Sequence, residues 1–191
     1  MSKADKTRAL ILDAATEEFA AHGIAGARVD RIAERSGMSK PMIYAYFGGK
    51  DKLFDAVFEV HVIGNSERVP FTAHDLAGYA SRLYDDYLAD PALMRLLMWK
   101  RLEREATGYL YPGLEEIDAQ HLREIVGQQR IGTVRDDLKA EDVWSLLIAT
   151  AATWAQNSIT NVAMTSERST DHQRRKSALI EFMTAALSPV S

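Results

Sequence analysis

The sequence predicts an all-α protein of about nine helices, an N-terminal three-helix helix-turn-helix domain followed by a larger C-terminal helical domain. Three observations carry this. Apolar residues recur at helical spacing along nearly the whole chain. Glycine and proline punctuate the ends of those segments. No alternating strand run bounded by turns interrupts them.

The elements follow in order. Ile11, Ala14, Ala15 and Phe19 stripe a first helix, which Gly23 is expected to end. A second short helix spans about Val29–Ser36, with Ile32 and Ala33 on its apolar face. Gly37 suits the position just past its end, where positive φ is cheap for glycine. Ser39 is a good N-cap for a third helix. Pro41 falls in that helix's first turn, where its missing N–H has no intrahelical partner to lose. Ile43 and Phe47, four apart, anchor the inner side. A fourth helix begins at Lys50 and carries Leu53, Phe54, Val57, Phe58, His61 and Val62. The pattern breaks around residues 64–74, with Pro70 inside, and this divides the chain into domains 1–64 and 65–191. Leu76, Tyr79, Ala80, Leu83, Tyr84 and Tyr87 mark a fifth helix, closed by Asp90-Pro91. Leu93, Leu96, Leu97 and Trp99 mark a sixth. A loop holding Thr107-Gly108 and Pro112-Gly113 precedes a seventh helix over about 114–131. An eighth is expected over 140–164 and a ninth over 172–187.

The stretch from Gly26 to Phe58 is the most informative about function. A helix-turn-helix holds one short helix proud of a compact support, where it can enter the DNA major groove. The third helix offers Lys40, Pro41 and Met42 in its first turn, residues ill suited to a core. Tyr44 and Tyr46 do not both fit its inner side, and a phenol can donate to a phosphate oxygen. Lys50 opposes the dipole at its helix start, which makes sense if an anion docks there.

This array resembles the N-terminal domain of the tetracycline-repressor-like (TetR) family of transcriptional regulators, over about Thr7 to Val62. The matching marks are Ala14-Ala15, Phe19 and Gly23, then Val29, Ile32 and Ala33. They continue as Gly37-Met38-Ser39-Lys40, Tyr44, Tyr46-Phe47, Lys50 and Leu53. There is one departure: Arg28 stands where the family usually has Ser or Thr. Side-chain capping there is weakened, while a charged contact to phosphate or base becomes available. The resemblance implies a regulator that binds a palindromic double-stranded DNA operator as a homodimer. It is most simply a repressor released by a small-molecule effector that the sequence does not identify. The DNA-binding residues it points to are Arg28, Ser39, Lys40, Pro41, Met42, Tyr44, Tyr46 and Lys50.

Composition bounds the rest. Net charge is −4, but it is unevenly spread. Residues 1–52 hold nine Lys/Arg and seven Asp/Glu, a net of +2, while residues 53–191 hold fourteen and twenty, a net of −6. DNA binding would then depend on a few placed cations rather than a broad positive field. There is no cysteine. The five histidines show no paired metal spacing, so neither metal nor cofactor is expected. Residues 1–8 are polar and charged with no apolar signal core behind them, which predicts a cytoplasmic protein.

Residues 143–166 contain no charged side chain, yet ten of them are Ser, Thr, Asn or Gln. That is too polar for a lipid-facing helix, so a protein cover is expected instead of a membrane. Part of it would come from a second subunit, through Trp144, Ile148, Ala151, Ala155, Leu179, Phe182, Met183 and Ala186. An effector pocket would draw on His61, Tyr84, Tyr87, Arg95, Met98, Trp99, Trp154 and Asn157. Aromatic and methionine side chains suit such a cavity, but they equally suit an ordinary core. Two other function classes stand beside the regulator. One is an effector-independent or architectural DNA-binding protein. The other is a helical enzyme, for which no Gly-rich phosphate loop, His-Glu-x-x-His or nucleophile elbow is found.

Overall fold

A computed structural model describes residues 2–189. Among the described residues there are nine α-helices and no strand. The chain forms two compact units, Met1–Asn65 with Ala92–Leu110, and Ser66–Pro91 with Tyr111–Ser191. The break near residue 65 lies where the apolar pattern fails. Residues 92–110, beyond that break in sequence, nevertheless group with the first unit.

The first unit is built from α1 (Lys3–Gly26), α2 (Val29–Ser36), α3 (Lys40–Phe47), α4 (Lys50–Arg68) and α6 (Pro91–Glu103), α4 and α6 each carrying one end into the second unit. Ser2 and Asp5 start α1 with a reciprocal capping box, which satisfies two of the helix's open N–H groups. Ile11, Ala15, Phe19, Ile32, Leu53, Phe54 and Val57 are fully buried and form the core. Phe19 meets Phe54 edge to face at 5.2 Å.

Gly23 does not end the first helix. It kinks it, with φ 72°, and the chain stays helical to Gly26. At the kink, Ala20 O accepts from Arg95 Nε (2.7 Å) and Trp99 Nε1 (3.2 Å), and Ala25 N donates to Glu103 Oε2 (2.7 Å). A break in the helical ladder leaves backbone groups that side chains must satisfy, and α6 supplies them. Just past the end of α6, Arg104 bonds Asp51 and Asp55 and lies 4.9 Å over the Phe54 ring. Lys100 is buried over Phe58.

The second unit holds α5 (Leu76–Ala89), α7 (Leu114–Arg130), α8 (Ala140–Ala151) and α9 (Ser169–Leu187). Asp75 caps α5 by accepting from Gly78 N at 2.9 Å. α5 packs against α8 and α9, and α7 packs on α8. Tyr79, Ala80, Leu83 and Tyr84 of α5 are buried, as are Val143 and Leu147 of α8 and Leu179 and Met183 of α9. At its far end α5 carries buried Asp86, bonded by Arg68, which also reaches Asp90 at 3.3 Å.

The expected eighth helix over 140–164 is corrected: α8 stops at Ala151 and turns follow. The Thr, Ser and Asn side chains of this run compete for the backbone. Thr153 Oγ1 donates to Thr150 O at 2.7 Å, and Ser158 Oγ accepts from the N–H groups of Thr160 and Asn161 at 3.3 Å each. A bond from Ala163 N to Trp154 O (2.9 Å) closes the loop on itself.

Candidate nucleic-acid interface and an aromatic cavity

α3 is defined at both ends by residues within or next to it. Ser39 Oγ accepts from Met42 N at 3.3 Å, Pro41 sits in the first turn, and Gly48 at φ 78° closes the last one. Only Ile43 and Phe47 of its eight residues are buried. Met42, Tyr44 and Tyr46 are 41%, 41% and 40% exposed. A helix anchored by two residues and offering large side chains outward has the form of a groove reader. Before it, Gly37 at φ 68° ends α2, its N–H turned to Ala33 O and Glu34 O.

The start of α2 is held differently. Its N-cap Arg28 makes no side-chain cap. Instead its N–H donates to buried Glu18 Oε1 at 2.9 Å. The same oxygen accepts from Arg31 Nε (2.8 Å) and Nη2 (2.5 Å). Burial alone would raise the Glu18 pKa, but the Arg31 and Arg28 donors outweigh it and hold the carboxylate below its ordinary range. Sequence reasoning missed Glu18. The available signal was a carboxylate inside the stripe of Ile11, Ala15 and Phe19.

The cations of this surface are mostly engaged. Arg31 pairs with Glu18, Arg35 with Glu17 (3.0 Å) and Lys40 with Asp30 (2.9 Å). Lys50 Nζ donates to Ala25 O and Ala27 O at 3.2 Å each, tying the α1–α2 connection to the start of α4. An ammonium has three donors, so one remains for an anion. The lysine that looked like a phosphate ligand is therefore also a structural tie.

The second unit contains a cavity of about 180 Å³. Tyr84, Tyr87, Leu88 and Pro91 line one side, with Trp154, Gln156, Met164 and Thr165 of the loop after α8 opposite. Tyr84 and Trp154 meet edge to face at 6.0 Å. No lining side chain is charged. Of the expected pocket residues, Tyr84, Tyr87 and Trp154 come together here. The others do not line it. Arg95 and Trp99 hold the α1 kink, and Met98 stands on the same helix in the first unit. His61 Nε2 lies 3.1 Å from Thr16 Oγ1, also in the first unit. Asn157 is exposed, and its neighbour Gln156 lines the cavity instead.

The expected interface residues divide as well. Leu179 and Met183 are 2% exposed, and Ala151 and Ala155 are buried, so these four are core of their own unit. Trp144 is also turned inward: it packs on Phe71, Tyr79 and His121, and its Nε1 donates to Asp118 at 3.2 Å. Ile148 and Ala186 are half-buried. Phe182 of α9 is 61% exposed and Leu146 of α8 57%, two large apolar side chains that the chain itself leaves open.

Similarity to known proteins agrees with this geometry. Residues 75–184 match the family described as tetracyclin repressor-like, C-terminal domain, and residues 11–57 match the bacterial regulatory proteins, tetR family. The chain is 41% identical over 155 residues to the HTH-type transcriptional repressor SCO4008 of Streptomyces coelicolor, covering 79% of each. It is 32% identical over 146 residues to the HTH-type transcriptional repressor NicS of Pseudomonas putida, covering 72% of this chain and 64% of that one. The crystal structure of the Streptomyces coelicolor regulator SCO4942 is similar at a TM-score of 0.80 and 34% identity, over 95% of this chain and 98% of that one. No described helix is long and apolar enough to cross a membrane.

Proposed function

The chain belongs to the TetR family of bacterial transcriptional regulators, and from that premise we propose how its own residues divide the work. It is a DNA-binding regulator of transcription rather than an enzyme. We infer a cytoplasmic repressor whose α3 enters the major groove of a palindromic operator. The observation that carries this is the outward side of α3, where Met42, Tyr44 and Tyr46 stay exposed over an anchor of only Ile43 and Phe47. Lys40, Pro41 and Met42 face base edges. Ser39, Tyr44, Tyr46, Arg28 and the remaining donor of Lys50 take phosphates.

Two copies pair through the α8–α9 face around Leu146 and Phe182, as a two-fold operator asks. A small effector occupies the cavity at Tyr84 and Tyr87. Coupling runs through Arg68, the last residue of α4, whose bonds to Asp86 and Asp90 flank the lining residues Tyr87 and Leu88. Movement of that stretch of α5 pulls on the end of the helix that begins at Lys50. Such coupling is reciprocal: an effector that weakens operator binding is itself bound more weakly on operator, by the same factor.

The test is operator affinity at several salt concentrations. Tyr44→Phe and Tyr46→Phe are expected to weaken binding to all sequences alike, whereas Met42→Ala changes which sequence is preferred. A Met42→Ala protein with unaltered preference, beside a Tyr44→Phe protein with altered preference, would reverse the assignment.

A further inference from the structure

α1 brings one cation to the end of the reading helix. The Arg8 guanidinium lies 5.5 Å from the centre of the Phe47 ring, and Phe47 is the last residue of α3. At that distance the ring face attracts the cation and holds the side chain in place, while N–H donors stay free for an anion. Arg8 is exposed, and among the described residues no carboxylate pairs with it. The neighbouring cations differ. Arg31, Arg35 and Lys40 are held by Glu18, Glu17 and Asp30, and Lys50 gives two donors to Ala25 O and Ala27 O. Each of the first three must release a carboxylate before it can meet a phosphate. Arg8 has none to release.

Its place on α3 decides what it would meet. Phe47 is at the opposite end of the helix from the Lys40–Met42 turn, roughly 10 Å along the axis at about 1.5 Å per residue. Beside it Tyr46 is 40% exposed, with its ring 6.3 Å from that of Phe47. This is the end of α3 that carries the phenols assigned to phosphates, not the turn assigned to base edges. A guanidinium can also take two oxygens of one phosphate at once. Arg8 stands before residues 11–57, the stretch that matches the family, so that likeness does not assign it.

We propose that Arg8 is a further DNA-binding residue, which from its seat over Phe47 takes a backbone phosphate next to the contact made by Tyr46. This rests on the reading of α3 as the helix that enters the groove.

Lys6 supplies the comparison. It is exposed and unpaired as well, but residues two apart on a helix do not share a face, so it points away from Phe47. The full chain would be titrated onto a fluorescein-labelled, mixed-sequence duplex of about thirty base pairs at several salt concentrations, with anisotropy as the readout. Arg8→Met and Arg8→Gln, two neutral side chains long enough to cover Phe47, should each lower the salt slope by about one unit and weaken binding roughly tenfold at about 0.1 M salt. Arg8→Lys should keep the slope. Lys6→Met should leave slope unchanged and affinity within about twofold. An unchanged slope in either neutral Arg8 variant, or an equal fall in Lys6→Met, would overturn the inference, while weakened binding by Tyr46→Phe would leave the α3 reading standing. Tyr46→Phe and both neutral Arg8 variants binding like the unaltered chain would overturn the α3 reading and the inference with it.

Discussion

α3 and the aromatic cavity are built on different scales of the chain. Ser39 caps a residue three positions on, and Gly48 closes a helix only eight residues long. Tyr84 of the cavity wall bonds His172, 88 residues away, and beside it Lys176 reaches Asp85 over 91. A short-range element has its bounds fixed by its own neighbours in sequence and needs only the anchors Ile43 and Phe47 to hold it, which suits a part that must present the same face to every operator. A long-range site depends on how several helices pack, so a ligand there can shift them. DNA reading and ligand response are in that sense assigned to the stiffer and the softer ways of building a site.

The largest expected effect tests the second unit. Phe182→Glu places a charge on the open α8–α9 face, where pairing would bury it without a partner at a cost of several kcal/mol. The protein should fold, sediment as a monomer and lose operator binding. Met183→Glu, one position on, buries the charge in the unit's own core and should unfold it. A dimeric Phe182→Glu protein by sedimentation would remove this face from the interface.

A smaller effect separates two glycines of the first unit. Both Gly23 and Gly37 have positive φ, but an added Cβ at Gly23 would clash with Glu103 Oε1 and lie 2.8 Å from Trp99, while at Gly37 it would meet nothing within 4 Å. Gly37→Ala should cost about 1–2 kcal/mol from backbone strain alone. Gly23→Ala should cost more, because α6 must also give way. Urea unfolding that ranks them the other way would mean α6 does not grip the kink.

Legibility in the sequence follows the same division. The bounds of α2 and α3 were readable because their caps, Gly37, Ser39 and Pro41, are local. The weak cap at Arg28 was legible, since its side chain makes none, but what replaces it was not, because Glu18 lies on another helix. Arg95 and Trp99 looked like pocket residues by composition, yet their partner is a carbonyl exposed by a kink that Gly23 alone does not announce. The charge-free run of 143–166 suggested one long covered helix, but lack of charge fixes neither backbone form nor burial: Ile159 and Met164 within it are 100% and 59% exposed. Within α9, the stripe Leu179, Phe182, Met183, Ala186 mixed two faces, because residues three and four apart spread over an arc that the core and a partner share.

Glu18 gives a pH test. Its folded pKa lies below the ordinary 4.5, so its stabilising effect is present above that value and is lost as pH falls through the folded one. Melting temperature should therefore drop on acidification below about pH 4.5 more steeply in the unaltered chain than in Glu18→Gln, which starts lower. Parallel curves would exclude Glu18 as the acid-sensitive tie of α2.

The smallest effect concerns Lys40, held by Asp30 at 2.9 Å. Asp30→Asn frees the ammonium for a base edge and should change which operator sequence is preferred. An unaltered preference would mean that Lys40 meets no base edge.

The most direct measurement is the sequencing of genomic DNA fragments retained by the purified protein, with Phe182→Glu in parallel. The account predicts one enriched inverted repeat, with half-site centres about one helical turn, roughly 34 Å, apart. The Phe182→Glu protein should retain no such repeat. Enrichment of a single unrepeated motif by both proteins, or of no motif by either, would contradict a paired α3 reader.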